Sequence, residues 1–216
     1  MSRGDGRDSR QAVLDAAIEI VRRHGAGALT VRSVATAAGC STSGVYTWFG
    51  SKNGLVEAIF VDGFQGFHAA QQDVLDHVGP DLVALAEVYR RWALDNPTHY
   101  QVMFQGVVPD FEPSDEARAV AWSTFAQLIV AAESTRRERA LEIPVEDLAH
   151  HMWATVHGYV SLELSGMSPL EPEHAARIFR DGVAFVEHPA AAATERTVSA
   201  PAPWWWRISI AASRIA

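Results

Sequence analysis

The 216-residue sequence predicts an all-α protein of about nine helices, a helix-turn-helix head joined to a larger helical body. Three observations carry that prediction. Apolar residues recur at spacings of three and four along most of the chain, the period of a helix that buries one face. No run alternates apolar and polar residues with the β-branched enrichment of a strand. Between the periodic stretches lie Gly, Pro, Ser, Thr and Asp, the residues that stop and start helices.

Each element has a local reason. Ser9 is read as the N-cap of a first helix, whose apolar positions Val13, Leu14, Ala17, Ile18 and Val21 keep helical spacing until His24-Gly25 closes it. Thr30 caps a short second helix with Val31, Val34 and Ala35 inward, and Gly39 breaks it. Ser41 or Thr42 starts a third helix holding Val45, Tyr46 and Phe49. Gly50 ends that one, and Ser51 caps a long fourth that runs to Val78 before Gly79-Pro80. Further helices are expected over residues 81–95, 98–105, 114–140, 144–165 and 172–187, with a Pro- and Gly-rich loop over 106–113. From Pro189 the composition changes to PAAAATERTVSAPAP, a linker-like stretch, followed by WWWRISIAASRIA, too short for a domain. The expected division is therefore a head over 1–55, a body over 56–188 and a tail over 189–216. The tail reads either as an interfacial anchor or as an unstructured extension, and the second reading is preferred.

Charge is distributed unevenly. Residues 1–55 carry seven basic and four acidic side chains, a net of +3, within a chain whose total is −8. The remainder therefore holds −11. Such asymmetry suits a polyanion-binding head on a body that avoids polyanions, although chance gives the same pattern. Lys52 is the only lysine, and it sits where the fourth helix begins. A single cysteine, Cys40, excludes an intramolecular disulfide and suits a reducing cytoplasm, and its place in a turn suggests a buried, inert thiol. No stretch approaches the ~18 apolar residues of a spanning helix, and residues 1–10 lack the apolar core of a secretion signal.

Residues 31–38, 39–41 and 42–49 have the spacing of a supporting helix, a tight turn and a recognition helix. Thr42, Ser43, Gly44 and Thr47 are the outward candidates for base edges, with Tyr46 and Trp48 placed for sugar and phosphate. Lys52 lies at a helix N-terminus, where free amides and the dipole also favour phosphate. The same residues would fit an ordinary helical hairpin in which Tyr46, Trp48 and Phe49 are core.

The run VLDAAIEIVRRHGAGALTVRSVATAAGCSTSGVYTWFGSKNGLVEAI, residues 13–59, resembles the DNA-binding head of the tetracycline-repressor (TetR) family. The resemblance implies backbone contacts from Thr30, Tyr46, Trp48 and Lys52, and base-facing roles for Thr42, Ser43, Gly44 and Thr47. Arg32 is a further phosphate candidate. The sequence departs from the family pattern at Thr42 and Thr47, where a basic residue is frequent, and at Trp48, where His is frequent. A recognition helix without Arg or Lys cannot make the bidentate guanine contact, so readout would rest on hydroxyls and methyl groups. Arg3, Arg7 and Arg10 are expected either to reach the minor groove or phosphates, or to form a solvated tip.

The stretch HMWATVHGYVSLEL, residues 151–164, resembles a TetR C-terminal subfamily marked by Trp153, His157 and Gly158. The resemblance implies a repressor that binds double-stranded operator DNA as a homodimer and is released by a small, largely hydrophobic effector. Trp92, Tyr100, Phe104, Trp122, Phe125 and His157 are the expected effector contacts, with plain core packing as the alternative for each. Met152, Thr155, Tyr159 and Leu162 on one helix, with Ile178, Phe179 and Val183 on the next, are expected at a four-helix dimer interface. Both stripes could instead face their own core. Gly158 is expected to let another helix approach, and His157 to satisfy a buried polar contact or donate to the effector. His150 and His157 are seven residues apart, too far for chelation on adjacent turns, so no metal or cofactor is expected. The rival class is an all-helical carrier or enzyme using the aromatic pocket. The sequence offers it no nucleophile beside a base, no phosphate-binding loop and no metal spacing.

Overall fold

The computed structural model describes the backbone of residues 3–186 and the side chains of residues 9–186. The tail over 189–216 and the side chains of Arg3 and Arg7 lie outside the described residues. Nine α-helices and no strand are found among them: α1 (Arg3–His24), α2 (Val31–Ala37), α3 (Thr42–Phe49), α4 (Lys52–His77), α5 (Leu82–Asp95), α6 (Pro97–Phe104), α7 (Asp115–Glu138), α8 (Val145–Leu164) and α9 (Pro172–Val186). Two details differ from the sequence reading. Helix α1 begins at Arg3, so Ser9 lies inside it, not at its N-cap. The leading residues are polar and include Gly4 and Gly6, so no apolar period marks that extension. A single 3-10 turn, Ala26–Ala28, also follows Gly25.

Capping fixes the other boundaries. Thr30 and Ser33 form a reciprocal capping box on α2: the Ser33 amide donates to Thr30 Oγ1 at 3.0 Å, and the Thr30 amide donates to Ser33 Oγ at 3.0 Å. Ser41, Ser51, Asp81 and Ser114 each accept from the amide three residues on, satisfying one orphan donor at the starts of α3, α4, α5 and α7.

Helices α1 to α3 close over Val13, Leu14, Ala17, Val21, Leu29, Val34, Val45 and Phe49, all buried. Helix α4 joins head to body. Its 26 residues span about 39 Å. Leu55, Val56 and Ile59 are buried near its head end, and Phe60, Phe64, Phe67 and Val74 are buried further along. Helices α5, α6 and α7 pack on α4, and α8 packs on α5, α7 and α9. Gly63 permits the α4–α6 approach, because a Cβ there would lie 2.6 Å from Met103 Sδ. Gly158 does not have the expected spacing role: a Cβ there meets nothing within 4 Å. The close approach falls instead at Gly182 of α9, where a Cβ would lie 2.5 Å from the Tyr159 ring.

Candidate nucleic-acid interface and ligand cavity

On α3, Thr42, Ser43, Tyr46 and Thr47 are all exposed, and their spacing puts them on one face. Tyr46 retains 53% of its exposure. The Thr47 hydroxyl donates back to the Ser43 carbonyl at 2.9 Å, which directs its hydrogen inward and leaves its oxygen as an acceptor. Arg32 and Lys52 are exposed on the flanking helices, and Thr30 is exposed at the α2 cap. Gly44 is half-buried.

Trp48 falls elsewhere. It shares the face of Val45 and Phe49, is half-buried, and lines a polar groove with Arg10, Gln11 and Glu57 between α1 and α4. The helical period explains this: positions 45, 48 and 49 oppose 42, 43, 46 and 47. Arg10 likewise turns back on the head, its guanidinium 4.8 Å from the centre of the Phe49 ring. Cys40 is a free, half-buried thiol packed against the head core.

The body contains a cavity of about 180 Å³ between α4, α5, α6, α7 and α8. Its walls include Phe64, Phe67, Leu85, Tyr89, Phe104, Phe125, Met152, Trp153 and Val156, and no charged side chain lines it. Trp122 both lines the cavity and remains 58% exposed, which places the opening beside α7. Of the expected effector contacts, Phe104, Trp122 and Phe125 line the space. Trp92, Tyr100 and His157 do not. Trp92 packs on Phe67 with ring centres 5.3 Å apart. Tyr100 and His157 sit behind the wall.

There they form a polar cluster. The Tyr89 and Tyr100 hydroxyls each lie 3.0 Å from His157 Nδ1, and Tyr100 also lies 3.0 Å from Ser161 Oγ. Burial holds the His157 ring below its ordinary pKa and so favours the neutral imidazole, whose Nδ1 lone pair can accept from one of the two phenols. Burial also pushes both phenols upward, Tyr89 well above its usual value, and so keeps them protonated. Among the described residues no cluster of His, Cys, Asp or Glu could hold a metal ion.

Sequence reasoning missed Gln71. This residue is 3% exposed, lines the cavity, and its carboxamide oxygen has no hydrogen-bond partner among the described residues.

The pairing stripes divide. Met152, Phe179 and Val183 are 0%, 1% and 0% exposed, so they face their own core. Met152 in fact lines the cavity. Thr155, Tyr159, Leu162 and Ile178 line a shallow trough between α8 and α9, joined there by Gly158, Gly182 and Phe185. Leu162 and Phe185 are exposed large hydrophobic residues.

The family model described as bacterial regulatory proteins of the tetR family matches residues 13–59, the head with the start of α4. A second, described as a tetracyclin repressor-like C-terminal domain, matches residues 82–186. The chain belongs to the TetR family. An HTH-type transcriptional regulator of Mycobacterium tuberculosis (strain H37Rv) is 30% identical over 128 residues, covering 55% of each chain. The TetR-family chain thus spans about half the length of that relative. The HTH-type nicotine-responsive transcriptional repressor HdnoR of Paenarthrobacter nicotinovorans is 28% identical over 150 residues, covering 60% of this chain and 77% of the relative. The crystal structure of the regulatory protein SCO4313 shares the fold with a TM-score of 0.76 at 23% identity, over 86% of this chain and 98% of that one. No helix among the described residues is long and apolar enough to cross a membrane.

Proposed function

We propose that this chain is a cytoplasmic DNA-binding transcriptional regulator, a homodimeric repressor released from its operator by a small, largely hydrophobic effector. The observation that carries the reading is α4. The same rigid helix begins at Lys52, beside the exposed hydroxyl face of α3, and carries Phe64, Phe67 and Gln71 into the cavity wall. A ligand seated against those side chains biases the angle of the head, and two heads must sit about one DNA turn apart to enter successive major grooves. Effector and operator then oppose one another with a reciprocal coupling of about 1–3 kcal/mol.

In this scheme Thr42, Ser43, Gly44 and Thr47 meet base edges, and Thr30, Arg32, Tyr46 and Lys52 hold the backbone. Trp48 acts by packing α3 against α1 and α4. The dimer forms through the trough of Thr155, Tyr159, Leu162 and Ile178. The nicotine response stated in the name of one relative supports a small-molecule effector here as well.

The test is binding of the purified protein to fragments of its own genomic neighbourhood at increasing salt. A regulator retains specific fragments and loses affinity steeply between about 50 and about 200 mM salt. A protein that retains no fragment in a salt-sensitive manner is not one.

A further inference from the structure

The cavity wall combines two properties that together restrict its ligand. It contains no charged side chain, so an ionised carboxylate or ammonium entering it would lose its hydration and gain no counter-charge. It also contains one polar group left without a partner, the carboxamide oxygen of Gln71, in a residue 97% buried. A buried amide without a partner destabilises the fold unless something completes it, and such groups are rare in folded chains. The neighbouring polar groups do not serve. The Thr124 hydroxyl donates to the Ala121 carbonyl at 2.7 Å, and the Tyr89 hydroxyl lies 3.0 Å from His157.

We infer that the ligand is a neutral, mainly aromatic molecule of one or two rings whose single hydroxyl is hydrogen-bonded to the Gln71 carboxamide. The size follows from the volume. About 180 Å³ is slightly larger than the ~150 Å³ apolar cavity that holds a benzene molecule. The aromatic character follows from Phe64, Phe67, Phe104, Phe125 and Trp153, whose faces and edges favour offset or edge-on ring contacts. The hydroxyl both donates and accepts, so it satisfies a carboxamide in either orientation. Acidic ligands, acyl chains ending in carboxylate and cationic dyes are excluded by the same chemistry. The inference deepens the effector reading above and depends on it for its regulatory meaning, although binding itself does not require DNA.

The experiment is calorimetric titration of the full-length protein, without DNA, with naphthalene, 2-naphthol and 2-naphthoate. The three share a ring system and differ in the polar group. We expect 2-naphthol to bind about five- to tenfold more tightly than naphthalene, the worth of one neutral hydrogen bond, and 2-naphthoate to bind at least tenfold more weakly than 2-naphthol. In Gln71→Met the preference of 2-naphthol over naphthalene should vanish while naphthalene binding persists. Binding of 2-naphthoate equal to 2-naphthol overturns the inference. So does an undiminished hydroxyl preference in Gln71→Met, or failure of the wild-type protein to bind any of the three. If the variant does not fold, the wild-type ranking alone decides. Retention of this ranking by a protein that ignores DNA would refute the regulator reading and leave the ligand class standing.

Discussion

Arg90 of α5 and Glu163 of α8 form a two-pronged ion pair, with Nε 2.9 Å from Oε1 and Nη2 2.7 Å from Oε2. Both side chains are about 15% exposed, 16% and 14%, and the guanidinium also lies 5.6 Å from the centre of the Phe179 ring of α9. One residue thereby ties three helices, α5, α8 and α9. The hydrogen bonds to the carboxylate raise the Arg90 pKa further, so the guanidinium stays charged. Removing one partner leaves the other charge poorly hydrated. Arg90→Met should cost about 2 kcal/mol, which lowers the melting temperature by about 4–8 °C for a chain of this size. A change within error in thermal denaturation would mean that the pair is worth no more than a surface bridge.

His157 makes stability depend on pH with a definite sign. Its pKa is lowered in the folded protein by burial, so the unfolded chain binds more protons than the fold near its ordinary value. The contribution is present above that value and is lost as pH falls through the lowered one. The melting temperature should therefore fall as pH drops through and below the ordinary histidine range, and His157→Gln should flatten that fall. His77, whose pKa is raised first by its bond to the Asp73 carbonyl, has the opposite sign and is fully exposed, so it cancels in the comparison. Parallel wild-type and variant profiles would remove His157 as the source.

Gly54 is sterically required. A Cβ there would overlap the carbonyl oxygen of Phe49, a backbone atom that cannot rotate away. The Gly54 amide also donates to the Ser51 cap at 2.9 Å. Gly54→Ala should open the α3–α4 corner and cost more than about 2 kcal/mol, whereas Gly66→Ala, whose nearest neighbour is Trp92 Nε1 at 3.6 Å, should be near neutral. Equal thermal stabilities for the two variants would contradict the corner geometry.

The proposed roles in the head separate grip from reading. Lys52 is exposed at the first residue of α4, so Lys52→Ala should weaken binding to all sequences and reduce the salt slope by about one unit. Thr42→Ala removes a hydroxyl from the exposed face of α3 and should alter sequence preference more than overall affinity. The check is a titration against specific and nonspecific duplexes at two salt concentrations. A unit change in slope for Thr42→Ala would reverse the assignment.

Caps were readable because capping is local. Ser41, Ser51, Asp81 and Ser114 stand three residues before the amides they accept from; spacing marks Ser51 and Ser114 as caps, leaves the third helix starting at Ser41 or Thr42, and marks residue 81 only as a helix start. What faces a helix was not readable. Met152 and Leu162 belong to one apolar stripe, yet the first is buried in its own chain and the second is exposed. A 3.6-residue period states that a face is apolar but not which neighbour covers it. Trp92, Tyr100 and Phe104 differ in the same way: only Phe104 reaches the cavity, because α6 turns Tyr100 toward His157. Gln71 gave no signal at all, being one Gln of two in a mixed stretch of α4.

Pairing through α8 and α9 predicts a specific separation of effects. Leu162 and Phe185 are 54% and 68% exposed, so charges placed there leave the core intact. In a dimer the same positions would be covered, and a stable interface needs about 800 Å² per partner with few charges near its centre. Leu162→Glu with Phe185→Glu should keep the melting curve of the isolated chain while converting a dimer to a monomer in sedimentation at micromolar concentration. Operator affinity should fall with it, because one head reads one half-site. Phe179→Glu, by contrast, buries a charge in the chain's own core and should unfold it. A double variant that still sediments as a dimer would place the interface on another face.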